Sequence, residues 1–186
     1  MEETERLAET RDAGRERVFK ASTLAGMAFG NADVGAVHCL SESLGGQFDV
    51  PHGLGNAVFL AATLRHHLAA EGRARPAAGA AAVALPRVRT RLARLARRCD
   101  SEGFLWPPLI TPRSGDDDDA VCAAAFVAGI ARLVDDLHIP KFSALGIDPA
   151  ALSHIAALSV ANGSNGSNPN GPLSHADFMA IMKAAG

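Results

Sequence analysis

The sequence predicts an all-α fold, a helical bundle formed by one domain over residues 1–186. Apolar residues recur at three- and four-residue spacing in several segments, which is the period of a helix with one buried face. No segment shows the alternation of apolar and polar residues between hairpin turns that predicts strands. With 186 residues, of which 48% are hydrophobic, the chain is long enough to bury a sizeable core.

Two helices are predicted in the first third of the chain. The first covers residues 4–30, where small and apolar residues recur at helical spacing. Asp33 is expected to cap a second helix, which carries His38 and ends at Gly45.

Three more helices are predicted in the middle of the chain. The third covers residues 53–70 and stops at Gly72, and the fourth covers residues 87–98. A run of Asp residues at 116–119 favours the start of a fifth helix, which extends to Leu137, because acidic groups stabilise a helix N-terminus. The buried face of the Arg-rich fourth helix is expected to consist of Val88, Leu92 and Leu95. The intervening segments, 73–85 and 101–115, are rich in Pro, Gly or Ala and are predicted to be irregular.

The last two helices have recognisable start signals. Asp148 is an expected N-cap, and Pro149 after it suits the first helical position. Residues 162–173 form a predicted loop rich in Gly, Ser and Asn. Ser174 and Asp177 have the spacing of a capping box, so the final helix is predicted to begin there.

Composition excludes several classes of protein. The net charge of −2 argues against a nucleic-acid partner. No apolar run approaches the roughly 18 residues of a membrane span, so no membrane partner is expected. The first residues are polar and charged, unlike a signal peptide. The 3 Cys residues are odd in number and unclustered, which favours reduced thiols and a cytoplasmic location.

Two histidines are the candidate metal ligands. His38 lies in a helical segment, and His52 follows a Pro in a Gly-rich turn. The pair Gly45 and Gly46 is expected to permit a chain reversal that brings His52 back toward His38. Imidazole is a preferred ligand of zinc and iron, but catalytic sites use three or more protein ligands. The pair therefore predicts half of a metal site.

The segment around these histidines resembles the group III, iron-containing alcohol dehydrogenase family. Residues 24–65 contain AGMAFGN, VHCLSESLGG and PHGLGNA, which are similar to the family patterns AGMAFxN, VHxxxHxLG and PHGxxNAxxLP in the same order. Weaker similarity extends to HIPKFSALGID at 138–148 and to SNPNGPLSHADFMAIMKAA at 167–185. The resemblance covers most of this chain and the second half of a family member.

The resemblance implies the C-terminal helical domain of the dehydroquinate synthase-like, iron alcohol dehydrogenase fold. In such enzymes an N-terminal α/β domain binds NAD(P), and the metal lies in the cleft on one Asp and three His. His38 and His52 match two of those ligands. The other two lie upstream of the sequence given, so the resemblance implies a truncated member whose half-site holds Fe²⁺ or Zn²⁺ weakly. Its partner would be an N-terminal nucleotide-binding half.

One departure from the family falls at a sensitive position. The second His of VHxxxH, which lies near the nicotinamide in the family, is Glu42 here. Residues 38 and 42 share a helix face. Glu42 is therefore the candidate catalytic residue, able to orient His38 or to serve as a third metal ligand, but unable to copy a neutral imidazole that moves protons near pH 7.

Three functions remain open from the sequence. The first is a fragment or truncated member of the iron-containing alcohol dehydrogenases, whose parent reaction is metal-assisted, NAD(P)-dependent interconversion of alcohol and carbonyl. The second is a fragment similar to maleylacetate reductase, and the third is a non-catalytic helical module for oligomerisation. A homo-oligomer is also expected, because the concave surface that His38 and His52 share should be exposed without its partner domain and form an apolar-rimmed patch that favours association.

Overall fold

Helices form the regular structure of the computed structural model, which describes residues 2–71, 88–101 and 118–186. Within these residues there are α-helices and short 3₁₀ helices but no strand, so the predicted all-α fold is confirmed. The predicted irregular segment 73–85 and residues 102–115 of the second one lie outside the described residues. The α-helices are α1 Glu2–Ala32, α2 Ala36–Phe48, α3 His52–Ala70, α4 Val88–Ser101, α5 Asp119–Asp136, α6 Leu152–Ala161 and α7 His175–Ala184.

The chain divides into two compact units, residues 1–34 and residues 35–186. The expectation of one domain over 1–186 stays a prediction. The first unit is α1, which extends two residues beyond each end of the predicted helix. No helix in the described part of the chain is long and apolar enough to cross a bilayer.

Asp33 closes α1 instead of capping α2, so this part of the prediction is wrong. Its φ is 62°, in the left-handed region that Asp tolerates, and its N–H donates to Phe29 O at 2.8 Å. The N-cap of α2 is Gly35, whose neighbour across the fold is the side chain of Asn168.

The predicted end of α2 at Gly45 is also wrong. Gly45 and Gly46 lie inside the helix, which continues to Phe48, and the chain turns at Asp49 with φ 54°. A helical Gly costs only about 1 kcal/mol, which the burial of Leu44 in the core outweighs. The connection from α2 to α3 is therefore short, and the two helices form a hairpin.

The main core of the second unit lies where α2, α3, α6 and α7 meet. Side chains from all four helices are almost completely buried in it. Aromatic and branched residues of this size contribute about 1.5–3 kcal/mol each on full burial. The largest of them are Leu40, Leu44, Phe59, Ile155, Phe178, Ile181 and Met182.

The start signals of the later helices are confirmed. Asp118 and Asp148 each accept a hydrogen bond from the backbone N–H two residues on, at 3.1 and 2.8 Å. The turn at Asp148 begins as a 3₁₀ helix that leads into α6. Ser174 and Asp177 form the predicted capping box of α7.

Helices α4 and α5 form a second packed pair. Val88 and Leu92 are buried as predicted, but Leu95 is 48% exposed, so its assignment to the buried face is wrong. The contact at this position uses Ala93 and Ala96 against Cys122 of α5. Small side chains let the backbones of α4 and α5 approach closely, so the contact forms at Ala93 and Ala96 and leaves Leu95 outside it.

A polar segment joins the end of α6 to the start of α7 and holds α2 in place. Within it, Asn165 is buried and bonds both backbone groups of Leu173 at 2.9 and 3.0 Å. Asn168 accepts a hydrogen bond from Ala36 N at 2.8 Å. This bond satisfies an N–H at the start of α2 that the helix itself leaves without a partner.

His67, near the end of α3, is buried beneath the same segment. Asn170 Nδ2 donates to His67 O at 2.9 Å. Burial, with a smaller contribution from the neighbouring His66, lowers the pKa of His67 to about 4, although Asn168 and Asp177 oppose the shift. His67 is therefore neutral in the folded protein near pH 7.

A close contact between α2 and α3 predicts that two glycines of α3 respond differently to substitution by Ala. A Cβ at Gly55 would lie 2.7 Å from Ser41 Oγ and 3.1 Å from Ser41 Cα, whereas a Cβ at Gly53 meets nothing within 4 Å. We expect Gly55→Ala to lower the free energy of unfolding by about 1–3 kcal/mol. Gly53→Ala is the control and should be neutral or stabilising by up to about 1 kcal/mol. Urea unfolding of both variants measures the difference, and equal stabilities would contradict the close contact.

The neutral state of His67 predicts a pH-dependent loss of stability. Its pKa is lower in the folded chain, at about 4, than the ordinary 6.5, so the unfolded chain binds more protons between these values. The stability is thus complete above about pH 6.5 and falls toward pH 4, by about 3 kcal/mol in all. His67→Gln should remove most of this loss. Urea unfolding near pH 7.5 and near pH 4.5 measures it, with His154→Gln on α6 as an exposed control. An unchanged pH dependence in His67→Gln would rule the explanation out.

Candidate metal half-site

The hairpin of α2 and α3 brings His38 and His52 together. Their ring centroids are 5.1 Å apart, with 53° between the ring planes. His38 lies on the first turn of α2 and is half-buried, while His52 is the first residue of α3 and is exposed. The expected proximity of the two rings is confirmed, although the turn that produces it is at Asp49 instead of Gly45 and Gly46.

Asn56 links the two imidazoles and was not predicted from the sequence. Its Nδ2 lies 3.1 Å from His52 Nε2 and 3.4 Å from His38 Nε2. Its other terminal atom, Oδ1, is buried and has no hydrogen-bond partner among the described residues. The available sequence signal is its position four residues after His52, which places it on the same face of α3.

Ser41 supports His52 from the opposite side. Ser41 Oγ lies 2.8 Å from His52 O and 3.1 Å from His52 Nδ1, and the residue itself is completely buried. The same side chain faces Gly55, where only the lack of a Cβ leaves room for it. The position of the His52 ring is thus set by a contact between the two helices.

The electrostatic environment keeps His38 neutral near pH 7. Burial lowers the pKa of His38 below its ordinary 6.5, and the charge that His52 can carry lowers it further. The carboxylate of Glu42 opposes both effects by favouring the protonated ring. Neutral imidazole is the form that binds metal ions.

Glu42 lies beside this pair but does not complete it. Glu42 Oε2 accepts a hydrogen bond from Asn162 Nδ2 at 2.7 Å, which directs the carboxylate to the end of α6. Across residues 2–71, 88–101 and 118–186, no group of three or more His, Cys, Asp or Glu side chains is arranged to hold a metal. In this arrangement Glu42 does not stand as a third ligand beside the two rings, and its roles as a ligand and in catalysis stay predictions.

The donor set nevertheless suits the metal that the resemblance implies. Two imidazoles converge on one position, and the buried Oδ1 of Asn56 beside them has no partner within residues 2–71, 88–101 and 118–186. Imidazole with oxygen donors is compatible with ferrous iron or zinc. The described residues therefore fit one side of a metal site and require further ligands to close it.

This chain is similar to known proteins over most of its length. Residues 3–186 match the sequence profile of the Fe-containing alcohol dehydrogenase family, C-terminal. The 1,3-propanediol dehydrogenase of Klebsiella pneumoniae is 33% identical over 156 residues, which cover 83% of this chain and 33% of that protein. The enzyme of the same name from Citrobacter freundii is 31% identical over 160 residues, with the same coverage. This chain spans about one third of the length of these relatives.

A solved structure shares the fold. The crystal structure of a 1,3-propanediol oxidoreductase superposes with a TM-score of 0.67 and 27% sequence identity. The superposition covers 89% of this chain and 36% of that one. The fold of this chain is therefore similar to about a third of that longer oxidoreductase.

Proposed function

Because this chain belongs to the Fe-containing alcohol dehydrogenase family, we propose that His38 and His52 are two ligands of a catalytic metal. The reaction would be the NAD(P)-dependent interconversion of an alcohol and a carbonyl compound. The observation that carries the proposal is the convergence of both Nε2 atoms on Asn56 Nδ2, within 3.4 Å. The substrate class we propose is a short primary alcohol, which is suggested by the names of the matched relatives.

The residues of this chain have distinct parts in the proposed site. His38 and His52 hold the metal in their neutral forms, and Asn56 occupies the position between them until it binds. A bound Fe²⁺ or Zn²⁺ ion would supply Lewis acidity to the substrate oxygen. Glu42 places a negative charge beside His38, which raises the pKa of that imidazole against the lowering effect of burial.

The remaining parts of the proposed enzyme come from outside these residues. The family's other ligands, an Asp and a His, and its nucleotide-binding domain would belong to a partner half or to a longer chain. We also propose a homo-oligomer and a cytoplasmic location. The location is supported by the three cysteines, which all lie in the described residues as thiols.

The metal assignment predicts weak, His-dependent zinc binding. We expect calorimetric titration of the chain with Zn²⁺ to show one weak site, since two imidazoles are fewer ligands than a complete site has. His38→Ala and His52→Ala should each weaken Zn²⁺ binding by more than about 100-fold. Loss of a residue that only hydrogen-bonds to a metal ligand usually weakens binding by about 10–100-fold.

His154→Ala is the matched control, because His154 is exposed on α6. Its affinity for Zn²⁺ should equal that of the unchanged chain. Tight binding that survives loss of His38 would place the metal elsewhere and refute the assignment.

The second prediction concerns turnover by these 186 residues alone. The sequence has no strand, Gly-rich turn and helix in the order that binds a dinucleotide, and it supplies two of the family's four ligands. We expect no oxidation of primary alcohols with NAD⁺ or NADP⁺ in the presence of iron or zinc. Absorbance of the reduced nicotinamide measures turnover, and His52→Ala gives the background. A rate above that background would mean that these residues bind the nucleotide themselves.

A further inference from the structure

The hydroxyl group of Ser41 contacts both the backbone and the ring of His52. Ser41 Oγ is 2.8 Å from His52 O and 3.1 Å from His52 Nδ1. A hydroxyl group has one hydrogen to donate, and a carbonyl oxygen can only accept. The shorter of the two contacts is with the carbonyl oxygen, so the hydrogen of Ser41 is assigned to His52 O, and the oxygen of Ser41 is left to accept from the ring. His52 Nδ1 must then be protonated.

The other end of the same ring gives the same answer. Asn56 Nδ2 lies 3.1 Å from His52 Nε2, and an amide nitrogen can only donate. His52 Nε2 therefore has a lone pair, in agreement with a hydrogen on Nδ1. The same amide nitrogen lies 3.4 Å from His38 Nε2, so the lone pairs of both rings are directed to one position.

We propose that Ser41 is a positioning residue that fixes His52 in the Nδ1–H tautomer and so directs the Nε2 lone pair to the shared position. A neutral imidazole binds a metal through the nitrogen that lacks a hydrogen, and the partner of the other nitrogen selects the tautomer. An isolated histidine side chain prefers the opposite, Nε2–H form. The use of this lone pair for a metal rests on the proposed function, whereas the tautomer does not.

The packing of α2 against α3 holds Ser41 where it can position the His52 ring. Ser41 is completely buried on α2, three residues after His38. Gly55 of α3 leaves the space that its hydroxyl occupies, because a Cβ there would come within 2.7 Å of Ser41 Oγ. Ser41 thus connects α2, which carries His38, to His52, the first residue of α3.

Nitrogen chemical shifts test the proposal directly. The 186-residue chain would be labelled with ¹⁵N, freed of metal and studied by long-range ¹H–¹⁵N NMR about two pH units above the ordinary His value. Protonated and unprotonated ring nitrogens have well-separated shifts. We expect His52 to show a protonated Nδ1, and Ser41→Ala to move both of its ring shifts toward the Nε2–H form.

Ser43→Ala is the control, since Ser43 is also a buried hydroxyl on α2 but bonds Cys39 O and Ser159 Oγ. Its His52 shifts should match those of the unchanged chain. A protonated Nε2 in the unchanged chain overturns the proposal even if Ser41→Ala fails to fold. Unaltered shifts in a folded Ser41→Ala variant overturn it as well.

Zinc titration separates this proposal from the proposed function. Ser41→Ala should weaken Zn²⁺ binding by about 10–100-fold, as for other residues that orient a ligand, and Ser43→Ala should not. Equal affinity in Ser41→Ala and the unchanged chain overturns the positioning role. If the unchanged chain binds no zinc, the proposed metal site fails, and the nitrogen shifts alone then decide the role of Ser41.

Discussion

The close contact between α2 and α3 at Gly55 is the constraint on which the site depends. The absence of a side chain there admits Ser41, and Ser41 in turn holds both the backbone and the ring of His52. A larger residue would push the start of α3 away from α2. Since the two imidazoles come from different helices, any such shift would separate them. The positions of the two imidazoles therefore depend directly on how closely α2 and α3 pack.

A second set of contacts fixes the other side of the hairpin. Asn168 accepts from Ala36 N, two residues before His38, and Asn165 supports Asn168 through a hydrogen bond of 3.0 Å. These amides are buried, so each lost bond would leave a polar group without a partner, at about 1–3 kcal/mol. The segment between α6 and α7 thus acts as part of the support for His38, although it lies more than a hundred residues away in sequence.

The start signals of the last two helices were predicted correctly because they act within a few residues. The capping box of Ser174 and Asp177 and the N-cap at Asp148 depend on neighbours along the chain, and both occur as predicted. The predicted end of α2 failed because Gly45 is a weak stop signal, and the packing of the hairpin extends the helix beyond it. Leu95 failed for a similar reason, since helix spacing alone cannot tell which small residues the neighbouring helix will contact.

The same distinction explains what was missed at the site. The resemblance identified His38 and His52 as a pair, but the importance of Asn56 and Ser41 is visible only when α2 and α3 lie side by side.

The charge balance of the half-site favours a state that is ready for a metal. Burial lowers the pKa of His38, and the charge that His52 can carry, on a ring whose centroid is 5.1 Å away, lowers it further. Glu42 raises the pKa of His38, but its carboxylate is exposed and accepts a hydrogen bond from Asn162 Nδ2. Without a metal, the amide nitrogen of Asn56 contacts both Nε2 atoms, while its own Oδ1 finds no partner in the part of the chain that the structure describes. Under the proposed function, metal binding must displace the amide of Asn56. The free-energy cost of this displacement is lower because Asn56 Oδ1, without a partner among the described residues, already makes the metal-free arrangement less stable.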